Sequence, residues 1–321
     1  MQMPIVPTDG NHDDSPLLNY DYHFNTDTQF AMSVPESYRP QFHGITYSFV
    51  YGDVLFLVYS LQDWWRSSSG ESSMKSTYLS TDVKNWFKAQ CAKYPNVKYR
   101  VTLSHKNIFS GSGHSVDAET PLFREIMLPI LKECEIDLAI QGHDHCYEVI
   151  GPVNPDTRTA ITDAISDVET VTVDANNNAT GKKGGTFKTD DGTLYFIGAT
   201  CGRKRYYPYD RAKMDSYYDK HKVTNYFDLF TGMFGQPGSP SFTKFTVKSD
   251  GIEMNSYTAD SNGNATLLNT MKVVRNTPHT WVGMENVAAE NVADGEKFIR
   301  DGQLLIRKEG RTYNVLGIVV E

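Results

Sequence analysis

Nine histidines are spread through this 321-residue chain, and five of them stand where side-chain chemistry is possible. Gly10-Asn11-His12-Asp13 sets a neutral carbonyl oxygen beside a nitrogen base, after a glycine that allows a tight bend. Gly142-His143-Asp144-His145 places two imidazoles two residues apart. In an extended segment such residues point the same way, with backbones ~6–7 Å apart. That spacing suits one shared metal ion, or two ions ~3.5–4 Å apart. His105 and His114 complete the group. Each piece alone has an ordinary explanation: Asn, Gly and Asp are common turn formers, and single histidines serve as surface or structural residues.

Their positions in the pattern of elements give these residues more weight together. Residues 43–62 (HGITYSFVYGDVLFLVYSLQ) form two β-rich runs broken at Tyr51-Gly52-Asp53, which predicts a hairpin. A helix is expected over Ser80–Tyr94, with Val83, Trp86, Phe87 and Ala89 or Gln90 on one face. VKYRVTLSH then reads as a strand ending at His105. ETPLFREIMLPILKECE reads as a helix interrupted or kinked near Pro129, and IDLAIQGHDH as a buried strand running into the paired histidines. The rhythm predicts an α/β sheet covered on both faces. In such sheets chemistry gathers beyond the carboxyl ends of strands. GNHD follows the apolar run Pro4-Ile5-Val6, His105 follows VTLS, and His143 and His145 follow LAIQG, so three polar loops share that position.

Beyond residue 150 the texture changes. Residues 154–192 are rich in Thr, Asp, Asn and Gly and suggest long hairpins, after which GTLYFIGAT (192–200) returns to strand character. The aromatic and basic stretch RKRYYPYDR follows it. SFTKFTVKSDGIEMNSYT (241–258) reads as a hairpin turned at Ser249-Asp250-Gly251. A polar linker is expected over 276–294, and a small three-strand unit over 295–321 with turns at Asp301-Gly302 and Glu309-Gly310.

Composition narrows the function classes. Hydrophobic residues make up 39% and charged residues 22%, the balance of a chain that can bury a core. The net charge of −8 argues against a dedicated nucleic-acid backbone binder, although a metal ion could still bring phosphate to a site. No apolar run approaches the ~20 residues of a membrane helix. The opening residues lack the basic flank and apolar stretch of a signal peptide. The four cysteines have no CxxC spacing, and buried free thiols are the expectation.

The order GNHD, then His105, then GHDH resembles the calcineurin-like metallophosphoesterases, whose motifs run DxH, GDxx(D or Y), GNH(D or E), H and GHxH. LSHKNIFSGSGH, DLAIQGHDHCYE, GTLYFIGAT and the 241–258 hairpin resemble the purple-acid-phosphatase-like branch, and the likeness covers roughly residues 1–265. It implies an α/β/β/α sandwich of two mixed sheets, with a catalytic domain over 1–275. It implies two metal ions of Fe, Mn or Zn type, with Asn11, His105 and His143 as ligands of one and His145 of the other. A metal-bridging hydroxide would hydrolyse a phosphomonoester or small phosphodiester. His12 would assist the leaving oxygen, and His114 would face the substrate. The resemblance assigns no role to His23, His43, His221 or His279, which are expected to be surface or structural residues. The tyrosines and arginines of RKRYYPYDR are candidates for substrate contact.

No DxH or GDxxD precedes GNHD, and Asp53 and Asp63 come too late in the order to replace them. The chain thus resembles a family member without its first strands, and an unpaired sheet edge with exposed apolar residues beside Pro4-Ile5-Val6 is expected. The alternative function is a non-catalytic remnant that binds one metal or a partner without turnover. The C-terminal unit resembles the β tails that act as sorting signals on bacterial secreted proteins, which implies an exported protein handled by secretion machinery.

Overall fold

The computed structural model describes residues 5–13, 24, 45–61, 78–171, 181–280, 295–300, 303–308, 310–314 and 320. The expectations for His23, His43, Asp63, the Asp301-Gly302 turn, Glu309 and the linker beyond residue 280 lie outside them. Two compact units are present, Met1–Val282 and Gly283–Glu321.

The first unit is built on a seven-stranded mixed sheet. Its strands are β1 (Tyr47–Tyr51), β2 (Val54–Val58), β3 (Tyr99–Leu103), β4 (Leu138–Gln141), β5 (Tyr147–Val153), β8 (Thr193–Gly198) and β9 (Phe234–Gly235). They lie in the order β1-β2-β3-β4-β8-β5-β9, with β2, β3, β4 and β8 mutually parallel. The β1–β2 hairpin turns at Gly52-Asp53, where Gly52 takes φ +57°, a left-handed conformation that glycine adopts without steric cost.

A five-stranded sheet packs on one face of the first. It comprises β6 (Ile165–Thr170), β7 (Lys182–Lys188), β10 (Ser241–Lys248), β11 (Gly251–Ala259) and β12 (Ala265–Val274), in the order β10-β11-β12-β7-β6. Strand β12 was not legible as a separate element. Its register is fixed by Asn269, Met271 and Val273, which alternate inward between β11 and β7.

Strand periodicity separates two cores. Val54, Tyr99, Val101, Leu138 and Phe196 point between the sheets and meet Phe187, Ile252, Met254, Met271 and Val273. Leu55, Leu57, Ala139 and Tyr195 point the other way, toward the helices. With both faces buried, these strands read as nearly continuous apolar runs. The helices on that side are α1 (Lys84–Lys93), entered through a π-helical turn at Tyr78–Val83, and α2 (Thr120–Glu133). On α1 the buried face is Val83, Trp86, Phe87 and Cys91, not Ala89, because Cys91 lies four residues beyond Phe87 on the same stripe. Pro129 does not interrupt α2, which runs unbroken with Met127, Leu128, Ile130 and Leu131 buried around the proline. Among the described residues, no helix covers the outer face of the five-stranded sheet, and Phe242, Phe245, Val247 and Leu267 are exposed.

Residues 5–10 form no strand, so the expected Pro4-Ile5-Val6 strand is not present in the part described; Ile5 is 76% exposed. Side chains beside the large sheet hold this segment. Tyr47 donates to the Pro7 carbonyl and Ser60 to buried Asp9. Residues 276–280, read as the start of a linker, are bound to the domain. Asn276 and Thr277 donate to Asp190, and His279 bonds Asp137. Cys91, Cys134 and Cys146 are buried free thiols, whereas Cys201 is exposed.

The second unit is a three-stranded antiparallel sheet of β13 (Gly295–Arg300), β14 (Gln303–Lys308) and β15 (Arg311–Asn314).

Candidate metal centre

Four parallel strands end at one edge of the large sheet, and the segments beyond them carry the polar side chains. Asp9 is tied to Ser60, two residues past β2. His105 stands two residues past β3, and His143 and His145 follow β4. The segment from Ala199 to Tyr209 follows β8. Gly10 to Asp13 closes as a turn, with the Asp13 amide donating to the Gly10 carbonyl at 2.9 Å. That turn presents Asn11.

Three donor atoms converge. Asn11 Oδ1 lies 2.9 Å from His105 Nε2, and His143 Nδ1 lies 3.2 Å from the same nitrogen. Gly142 permits the approach: its amide donates to the His105 carbonyl, and a Cβ there would stand 3.2 Å from that oxygen. His143 then takes φ +67°, a conformation uncommon for a residue with a side chain. Burial pushes the His105 imidazole down to about 3, and the charges of His143, Lys106, His145 and His12 act in the same direction. His143 and His145 are lowered as well, chiefly by burial. Neutral imidazoles with free lone pairs are what a metal requires of histidine.

The fit to an ion is geometric as well as chemical. Ligand atoms ~2.1 Å from one ion stand about 3 Å from each other, as Asn11 Oδ1 and His143 Nδ1 each do from His105 Nε2. A set of two imidazoles and an amide oxygen suits Fe, Mn or Zn.

His145 sits beside this group. Its Nδ1 donates to the Lys204 carbonyl at 3.0 Å, which fixes the tautomer and leaves Nε2 as an acceptor. Gln236 Nε2 donates to both the His145 and Tyr206 carbonyls at 2.7 Å, joining the loops after β4 and β8. His12 is exposed on the Asn11 turn.

His114 stacks on His143 with ring centroids 3.7 Å apart. Asp117, which sequence reasoning missed, organises this pair: its Oδ2 lies 2.8 Å from His114 Nδ1 and 3.7 Å from His143 Nε2. Burial works against its charge, but the bonds from His114 and His143 prevail and hold the carboxyl well below its usual range. Among the described residues, His114, Asp117 and His143 form a cluster whose ligand atoms all lie within 4.8 Å of one another. The only sequence signal was the spacing His114-x-x-Asp117, which is too common to single out.

The loop carrying His105 and His114 is held from behind by two buried carboxylates. Asp144 accepts from Ser110 Oγ and from the His114 amide, and Glu148 accepts from the Gly111 amide. Glu148 is pushed well above the carboxylate range by burial and then by the charge of Asp144. Tyr206, from the RKRYYPYDR stretch, places its hydroxyl 3.3 Å from His114 Nε2 and its ring beside His145. His221 and His279 are buried away from this group, as structural residues.

Comparison with known proteins finds a family likeness that includes part of this edge. Residues 1–147 match the calcineurin-like phosphoesterase model, a span that contains Asn11, His105, His143 and His145. Over that segment the chain is similar to the calcineurin-like phosphoesterases. Two uncharacterized proteins of Mycobacterium tuberculosis, MT2654 and Rv2577, are each 28% identical to it over 169 residues. Those matches take in 49% of this chain and 31% of the relatives, so the chain spans about a third of the length of the curated proteins it matches. Among solved structures, purple acid phosphatase PPD1 from yellow lupin (Lupinus luteus) seeds aligns with a TM-score of 0.44 and 15% identity. That alignment covers 81% of this chain and 36% of the lupin protein. GAP50, the anchor in the inner membrane complex of Plasmodium, aligns at 0.39 and 14%, covering 72% and 54%.

Proposed function

We propose that this protein is a metal-dependent phosphoester hydrolase of the purple-acid-phosphatase-like branch. The observation that carries the reading is the convergence of Asn11 Oδ1, His105 Nε2 and His143 Nδ1, on a segment that matches the phosphoesterase family. Asn11, His105 and His143 would hold one ion, and Nε2 of His145 would serve a second. Bound there, the ions supply Lewis acidity toward phosphoryl oxygens and lower the pKa of water.

The protein's own groups have separable tasks. Asp117 accepts a hydrogen bond from His114 Nδ1 and faces Nε2 of His143, which fixes both rings and directs Nδ1 of His143 toward His105. His12, exposed on the Asn11 turn, is free to meet the leaving oxygen and donate a proton to it. His114, with Tyr206 on its Nε2, faces the substrate side as a hydrogen-bond donor to phosphate.

A second reading, retention of one ion without turnover, is favoured by the donor set. Asn11, His105 and His143 make one half of a site, whereas no carboxylate joins His145 in a ligand cluster among the described residues. Loading the metal-depleted chain with Mn, Zn or Fe decides between the two. Bound metal is counted by elemental analysis while p-nitrophenyl phosphate hydrolysis is followed. Two ions with turnover establish the hydrolase, one ion without turnover establishes the second reading, and no ion refutes both.

A further inference from the structure

Beyond β8 the chain runs through Arg203, Lys204 and Arg205, three consecutive cations that are all exposed. The segment is not a loose surface run. The Lys204 carbonyl orients His145, the Tyr206 carbonyl is held by Gln236, and the Tyr206 hydroxyl meets His114. The three cations are therefore carried at the mouth of the candidate metal centre.

Among the described residues, none of the three has an ion-pair partner; Lys204 Nζ lies only over the Tyr206 ring, 5.1 Å from its centroid. Arg211, a few residues on, shows the contrast: it pairs with Asp215 and Asp228 and packs on Phe227. The carboxylates near the site are already engaged. Asp117 is bonded to His114, Asp144 to Ser110 and the His114 amide, and Asp210 to the Lys213 amide. In a chain of net charge −8, three consecutive cations without an ion-pair partner beside the candidate site are a local concentration of positive charge. A cleft rim of one sign raises the local concentration of oppositely charged ligand.

We infer that Arg203, Lys204 and Arg205 form a second anion-binding element, and that the preferred substrates are phosphoesters bearing a second phosphate group. The inference rests on the hydrolase reading for the scissile phosphate. It adds that the non-reacting phosphate is held by the segment after β8. Two guanidinium groups flanking an ammonium suit a phosphate dianion, because each guanidinium can give two parallel hydrogen bonds.

The test compares fructose 1,6-bisphosphate with fructose 6-phosphate as substrates of the metal-loaded full chain, read as phosphate release. The variant Arg203→Gln/Lys204→Gln/Arg205→Gln keeps the backbone carbonyl that orients His145 and alters only exposed side chains. The ratio of kcat/KM, bisphosphate over monophosphate, should exceed one in the parent and fall by about tenfold in the variant, mostly through KM. A ratio that the substitutions leave unchanged overturns the inference while the hydrolase reading survives. If neither sugar phosphate is hydrolysed, p-nitrophenyl phosphate turnover still decides the hydrolase reading, and calorimetric binding of tripolyphosphate decides the inference separately. Binding that the triple variant loses supports the second element, and binding that is absent or equal in both overturns it.

Discussion

Two polar clusters containing histidine and aspartate lie in the large domain, and they have opposite characters. The first surrounds Asp137, whose carboxylate is wholly buried. It accepts from the Arg100 amide at 2.8 Å, Thr189 Oγ1 at 2.7 Å, Arg275 at 3.3 Å and His279 Nε2 at 2.9 Å. Donors meet acceptors throughout, and the cluster ties the 275–280 segment to the sheet. The second is the group at the opposite, carboxyl edge, where His143 Nδ1 faces His105 Nε2 and both rings are depressed toward neutrality. Between these two nitrogens and Asn11 Oδ1 there is room for one N–H at most, which leaves a lone pair for an outside partner. A cluster that satisfies itself holds the fold; a cluster of converging lone pairs requires something from outside. His221 sharpens the rule. It is buried with both ring nitrogens unpartnered, yet it stacks on Tyr226, with centroids 3.6 Å apart, and meets the Tyr217 ring edge-on. An orphan imidazole without converging donors is packing.

The largest test of this contrast is His105→Ala. It should abolish ion binding at the Asn11–His143 position and reduce turnover by orders of magnitude, while the metal-free domain keeps or gains thermal stability. A metal-free form that unfolds would show the carboxyl-edge cluster to be structural after all. Asp137→Ala should do the reverse. It strands Arg275 and the Arg100 amide in a buried site and should cost ~3–5 kcal/mol in chemical denaturation. Metal content per folded molecule should not change.

Asp117→Asn probes the border between the two kinds of cluster. It keeps the shape but removes the charge that orients His114 and His143, so ion affinity measured by calorimetry should fall ~10–100-fold without loss of fold. The last test concerns pH. Burial lowers the folded-state pKa of His221 from 6.5 to about 3, so between those values the unfolded chain holds a proton that the folded chain lacks. Stability is therefore lost as pH falls through this window. His221→Phe, which keeps a ring on Tyr226, should flatten the slope by at most about 1.4 kcal/mol per pH unit. Parallel pH–stability curves for parent and variant would refute that account.

Much of the scaffold was legible in the sequence because its causes are local. The hairpin at Gly52, the strands before His105 and Gly142, and the α2 stripe follow from periodicity and turn chemistry acting over a few residues. The identities of Asn11, His105, His143 and His145 were likewise visible, since each sits just past an apolar run. Sequence also misled where a neighbour was needed. Ile5 and Val6 have strand composition but form no strand among the described residues, and α2 continues through Pro129.

What the sequence determined by itself was the inventory: which side chains could bind metal or phosphate, and that His105, His143 and His145 follow strands. Tertiary structure alone decided their relations. Parallel pairing of β2, β3, β4 and β8 sets the segments at 9–13, 105–114, 142–148 and 199–209 side by side, although up to about two hundred residues separate them in the chain. That approach brings Asp117 onto His143, Gln236 between two loops and three unpaired cations to the rim. It also sends the equally polar Asp137 and His279 to a self-contained knot. The reason is physical: a side chain's type fixes what it can bond, but whether its partner is a donor, a lone pair or nothing depends on which distant strand lies next to it.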